Sequence, residues 1–164
     1  MKSGLKIGCF AVQGAFIEHK RMLESLGCEC VELRRKSDIC DLDGLVLPGG
    51  ESTVQGKLLR ELDMFDELKG RIANGLPVLA TCAGLILLAS HISNDDNVYF
   101  GTLPVTVKRN AYGRQLGSFE ATARFDNSFE FTMTFIRAPY VEAIDDLSLI
   151  HISEPTRQEA ISYA

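Results

Sequence analysis

Leu76-Pro77-Val78-Leu79-Ala80-Thr81-Cys82-Ala83-Gly84-Leu85-Ile86-Leu87-Leu88-Ala89 is the stretch that decides the fold of this chain. An apolar run leads into a threonine, a cysteine, an alanine and a glycine, and a second apolar run follows. That order predicts a buried strand, a sharp turn and a helix: a nucleophile elbow with sulfur in place of a hydroxyl. Such a turn lifts the reactive atom above the sheet edge. At a helix start, unpaired N–H groups and the helix dipole favour thiolate over thiol. Gly84 leaves room beside the bend that a bulky side chain would crowd. The same residues also suit a small apolar cysteine that merely fills a strand-to-helix turn.

A second stretch separates these readings. In Leu45-Val46-Leu47-Pro48-Gly49-Gly50-Glu51-Ser52-Thr53 an apolar strand ends in Pro-Gly-Gly, and hydroxyl residues then open another helix. Adjacent glycines let the backbone turn its N–H groups toward a ligand, as an oxyanion hole or anion nest requires. Ser52 or Thr53 as a helix cap accounts for part of the motif. A cap does not call for a neighbouring cysteine elbow, however. One strand end offering a nucleophile and another offering backbone donors suit acyl transfer from an amide or ester.

Outward from these motifs, strands and helices alternate. Leu5 to Val12 is a first buried strand ended by Gln13-Gly14, and Ala15 to Leu26 has helical spacing through Phe16, Met22, Leu23 and Leu26, closed by Gly27. Glu29 to Leu33 and Asp43 to Pro48 read as strands two and three, with helical material from Thr53 to about Gly75. Val78 to Thr81 is the fourth strand, and the elbow helix is expected to run to about Ile92. The alternation predicts right-handed βαβ units in an α/β fold: an open, mostly parallel sheet with helices on both faces. Ligands gather at the carboxyl ends of strands in such sheets, where both motifs fall. From Thr102 the pattern changes to strands at Leu103 to Lys108, Leu116 to Arg124 and Phe129 to Arg137, an antiparallel extension with little helix.

Composition narrows the class. The 164 residues suffice for one domain with a sizeable core, and 46% hydrophobic with 24% charged content is ordinary for a globular protein. A net charge of -5 without a basic run argues against nucleic acid as a partner. No apolar segment is long enough to cross a bilayer, and Met1-Lys2-Ser3-Gly4 lacks a signal-peptide core, so a membrane partner is not expected. The odd set Cys9, Cys28, Cys30, Cys40 and Cys82, with no CxxC pair, suits reduced thiols in a cytoplasm. No metal site or cofactor is called for, since Cys28-Glu29-Cys30 alone cannot build a zinc centre.

The tail is expected to have a different origin from the rest. Leu147-Ser148-Leu149-Ile150-His151-Ile152-Ser153-Glu154-Pro155-Thr156-Arg157 matches, residue for residue, a translation of a transposase sequencing adapter, and Ala160-Ile161-Ser162-Tyr163-Ala164 matches its outer end. The expectation is one domain over 1–146, incomplete at its C-terminus, and non-native sequence over 147–164. His151 and Glu154 imitate a base with its orienting carboxylate, and on this reading they have no catalytic role.

The segments VQGAFIEH, LVLPGGEST, TCAGLILLA, FGTLPVTVKRNAYGRQLGSFEA and FIRAPYVEA, in this order between Leu5 and Asp146, resemble the class I glutamine amidotransferase family. Within it they are most similar to the glutaminase subunits of pyridoxal 5′-phosphate synthase. The resemblance implies that Cys82 attacks the side-chain amide of L-glutamine, forms a thioester and releases ammonia. It places the oxyanion at the backbone N–H groups of Gly50 and Ala83. It assigns glutamine binding to Gly50, Glu51, Ser52, Arg109, Ile136 and Arg137. For the two arginines, the residues alone suggest solvated surface positions. The resemblance further implies a lyase (synthase) subunit as partner in a large hetero-oligomer, with ammonia passed on to it, and a glutaminase poorly active until docked; a peptide flip at Gly49-Gly50, accessible at low steric cost, would account for such gating. Two departures stand out. Family elbows usually read Gly-Thr-Cys-Ala-Gly where this chain has Ala80, and the family's downstream His-Pro-Glu segment is missing. His19 and His91 match no catalytic position, and His91 is expected in solvent. Losing the base of a hydrolytic triad costs on the order of 10⁶ in a serine-protease example, so negligible turnover is expected of this chain alone. Two alternatives remain open: an amidotransferase subunit serving another acceptor, and a non-catalytic fragment that only binds a partner.

Overall fold

A computed structural model describes residues 4–110, 119–125, 129–135 and 139–145. The tail 147–164 lies outside the described residues. The first half of the chain forms a four-stranded parallel sheet in the order β2-β1-β3-β4. Its strands are β1 (Lys6–Phe10), β2 (Glu29–Leu33), β3 (Gly44–Leu47) and β4 (Val78–Ala80). All four fall inside the runs expected from sequence. The reason is visible in β3, which is buried at every position, as a strand covered on both faces must be.

The helices depart from expectation in three ways, each with a local cause. Helix α1 (Phe16–Ser25) forms as its spacing predicts, yet none of its residues is fully buried, and Met22 and Leu26 beyond it are exposed. The helical material after Thr53 divides into α2 (Ser52–Glu61) and α3 (Phe65–Ala73). Asp63 takes the left-handed region at φ 54°, and Met64 N–H reaches back to Leu59 O at 2.9 Å, which closes α2. The elbow helix α4 (Ala83–Leu88) is much shorter than anticipated. Ala89 turns extended at ψ 140°, Phe100 N–H takes the Leu87 carbonyl at 2.9 Å, and the chain continues as β5 (Ala89–Ile92).

Strand β5 joins β6 (Leu103–Lys108) and β9 (Tyr140–Ile144) in a second sheet, in which the central β6 pairs parallel with β5 and antiparallel with β9. Strands β7 (Phe119–Phe125) and β8 (Phe129–Phe135) form an antiparallel pair. The antiparallel extension is therefore present, with β5 and β9 as strands that the sequence reading did not anticipate. One hydrophobic core links the parts: Phe10, Leu45 and Leu47 of the parallel sheet meet Leu59, Leu68, Leu87 and Phe100. Among the described residues no helix is long and apolar enough to cross a membrane.

Candidate active site

Three strand ends of the parallel sheet converge. At the end of β4, Thr81 N–H bonds Leu47 O at 3.0 Å and Gly84 N–H bonds Thr81 O at 2.8 Å, drawing the chain into a bend. Cys82 sits at its apex with φ 48° and ψ -102°, a conformation that L-residues avoid. Holding a non-glycine residue there costs about 1–3 kcal/mol. Burial of Ile86, Leu87 and Leu88 immediately after it offsets that cost, at about 1.5–3 kcal/mol per buried side chain. Gly84 is required for a specific reason: a Cβ there would lie 2.1 Å from the carbonyl oxygen of Leu47. The bend is thus pressed directly against β3. Cys82 itself is half-buried, neither sealed in the core nor fully in solvent.

The end of β3 lies alongside. A Cβ on Gly49 would stand 3.6 Å from Cys82 Cβ, so the diglycine turn and the elbow are in van der Waals contact. The turn is tied to the end of β1 by four hydrogen bonds. Ala15 N–H donates to Gly49 O at 2.9 Å, and Gln13 Oε1 accepts from Glu51 N–H at 3.1 Å. The buried Gln55 amide donates to Gln13 O at 3.1 Å and to Pro48 O at 3.2 Å. Gly14, at φ 104°, has no room for a side chain because Gly49 O would be 2.0 Å from its Cβ. Sequence reasoning missed Gln13 and Gln55 as members of this site. Gln13 stands in the quoted QGA segment, but a lone amide after a strand carries no signal of what it will bond.

The helix that follows is capped by Glu51, not by Ser52 or Thr53 as the hydroxyls suggested. The Glu51 carboxylate accepts from Thr53 N–H at 3.4 Å, while Ser52 is inside the helix and 2% exposed. Ser52 Oγ has no hydrogen-bond partner among the described residues.

Arg109 is brought to the same mouth from the end of β6. Its guanidinium bonds Glu51 at 2.9 Å and Thr53 Oγ1 at 3.1 Å through Nη2, and Asp95 through Nη1. Only 16% of its side chain is exposed, so it is not the solvated surface arginine that its residue type alone suggested. Gly50, Glu51, Ser52, Cys82, Ala83 and Arg109 therefore belong to one neighbourhood, whereas Ile136 and Arg137 lie outside the described residues. Histidine placement is informative too. His91 is exposed, as expected. His19 of α1 is half-buried with Nε2 3.1 Å from Thr81 Oγ1, next in sequence to Cys82, and burial lowers its pKa below the ordinary imidazole value. Cys9, by contrast, is buried in β1, and desolvation, its largest cause, pushes its thiol up to about 12. Among the described residues no cluster of potential metal ligands occurs.

With this geometry in place, similarity to known proteins is specific. The SNO glutamine amidotransferase family matches residues 9–161. Pyridoxal 5′-phosphate synthase subunit PdxT of Desulfitobacterium hafniense is 62% identical over 143 residues, covering 87% of this chain and 72% of the relative. The PdxT subunit of Methanocorpusculum labreanum is 56% identical over 138 residues, covering 84% and 72%. That of Haemophilus influenzae is 54% identical over 144 residues, covering 85% and 75%. A solved structure described as a glutamine amidotransferase superposes with a TM-score of 0.76 at 42% identity, over 84% of this chain and 74% of that one.

Proposed function

The chain belongs to the SNO glutamine amidotransferase family, and from that premise we propose that it is a glutaminase subunit that hydrolyses L-glutamine to glutamate and ammonia for pyridoxal 5′-phosphate synthesis. The observation that carries this reading is the contact between a strained cysteine elbow and a diglycine turn at adjacent strand ends. Cys82 Sγ attacks the carbon of the glutamine side-chain amide. The C–N bond breaks, ammonia leaves, and water then releases glutamate from the thioester. The N–H groups of Gly50 and Ala83 receive the oxyanion. Glu51, Ser52 and Arg109, with Ile136 and Arg137, receive the amino-acid end of the substrate through charge-assisted hydrogen bonds. Ammonia passes to a synthase subunit of a hetero-oligomer in the cytoplasm.

Gating by that partner has a physical basis in the diglycine turn. Turning the Gly49-Gly50 peptide requires breaking the Ala15 N–H to Gly49 O bond, and glycine makes the new conformation sterically accessible. Docking that stabilised the turned form would switch on the oxyanion donor. In an intact homologue, glutaminase rates should rise on adding the synthase, and equal rates with and without it would count against the switch. These 164 residues hold no His-Pro-Glu segment, so this chain alone is proposed to release ammonia at a negligible rate. Sustained ammonia release from glutamine by this chain alone would refute that. The site itself is tested separately, by alkylation with a chloromethyl ketone analogue of glutamine: mass spectrometry should find the adduct on Cys82.

A further inference from the structure

We propose that Asp95, on the turn between β5 and β6, is a positioning residue: it holds one edge of the Arg109 guanidinium so that the other edge is presented at Glu51 and Thr53, where the α-amino-acid end of glutamine is received. The inference rests on the assignment of Glu51 and Arg109 to that end of the substrate.

The contacts divide the work between two carboxylates. Asp95 bonds Arg109 Nη1, while Glu51 and Thr53 share Nη2. Asp95 is 18% exposed and Glu51 53%. The enclosed carboxylate keeps the arginine in place, and the exposed one can exchange its hold for a ligand. A guanidinium is planar, so fixing one nitrogen edge sets the direction of the other. Asp95 is itself fixed before it acts. Its Oδ1 accepts from Asn97 N–H at 3.0 Å and from Asn97 Nδ2 at 2.6 Å, which leaves Oδ2 for the arginine. These bonds, that from the Asn97 backbone foremost, hold its carboxyl below the ordinary range, so it is ionised at neutral pH. The neighbouring Asn94 grips the Arg109 backbone from both sides, accepting from its N–H at 2.9 Å and donating to its carbonyl at 3.0 Å. Backbone and side chain of one arginine are therefore both held from one turn. Neutralising Arg109 would need only Glu51; a second carboxylate on the opposite edge serves orientation.

Two electrophiles test this on the full chain. One is a chloromethyl ketone that carries the α-amino and α-carboxylate groups of glutamine; the other has the same carbon chain without them. Both alkylate Cys82, and the ratio of their second-order rate constants measures recognition of the amino-acid end. Asp95→Asn, nearly isosteric, is expected to lower that ratio about tenfold, the loss of one hydrogen bond to a charged group. The rate with the bare electrophile should stay within about twofold. A ratio unchanged in Asp95→Asn overturns the proposal. Equal losses with both electrophiles also overturn it, because the role would then be structural. If the unaltered chain shows no preference between the electrophiles, the assignment of Glu51 and Arg109 fails instead.

Discussion

The parallel sheet and the mixed sheet contribute to the same mouth in different ways. From the ends of the parallel strands and the helix that follows β3 come backbone and buried amide groups: the bend at Cys82, the Gly49-Gly50 turn, and Gln55 of α2 tying that turn to Gln13. From the β5–β6 side of the mixed sheet comes charge: Arg109 between Asp95 and Glu51. Backbone geometry held by a core tolerates almost no change in shape, whereas a charged clamp tolerates change in shape but not in charge. On the proposed reading, the first region sets the reacting atoms and the second receives the substrate's polar end.

The largest test of this division falls on the elbow. Cys82→Ser should abolish labelling by the glutamine-like electrophile, with Cys9 staying unmodified at pH 8 because its thiol is pushed up to about 12. Labelling that persists in Cys82→Ser would move the chemistry elsewhere. Next comes Gly84→Ala, which forces a methyl toward Leu47 O and should destabilise the fold by about 1–3 kcal/mol, read as a lower midpoint in denaturant. An unchanged midpoint would mean that the elbow is not pressed on β3.

A smaller change of opposite sign sharpens the comparison. Cys82→Gly relieves the positive φ and should stabilise the chain by about 1 kcal/mol while removing its thiol. No gain in melting temperature would show that the bend stores no strain. The smallest effect concerns His19. Burial lowers its folded pKa, so the unfolded chain binds the extra proton more readily and stability rises with pH through this window. The contribution is complete above the ordinary imidazole value of about 6.5 and is lost as pH falls below it toward the lowered folded value. The melting temperature should therefore decline less steeply in His19→Gln than in the unaltered chain between pH 7 and the lowered value. Parallel curves would place His19 in solvent.

The two regions also differ in how far sequence reveals them. Strands β1 to β4 are legible because each is a short apolar run bounded by turn residues, and the elbow is legible because Cys82-Ala83-Gly84 interrupts such runs. Strand β5 was hidden, since Leu85 to Ile92 is apolar almost throughout and a short apolar run does not distinguish helix from strand. The cap lies at Glu51, one or two residues before the expected Ser52 or Thr53, because Glu51 also accepts from a helix N–H. Asp95 carried no signal at all: its partner lies 14 residues away, across a turn and a strand. Polar clamps depend on where a chain returns to, which local pattern does not encode.

The central proposal is that Cys82 reacts with glutamine held beside the diglycine turn at the neighbouring strand end. Its most direct test is the alkylation of the intact chain by iodoacetamide, followed residue by residue by mass spectrometry with and without saturating L-glutamine. The account predicts that glutamine slows modification of Cys82 and leaves the exposed Cys40 unaffected. Equal modification of Cys82 in the presence and absence of glutamine would contradict it.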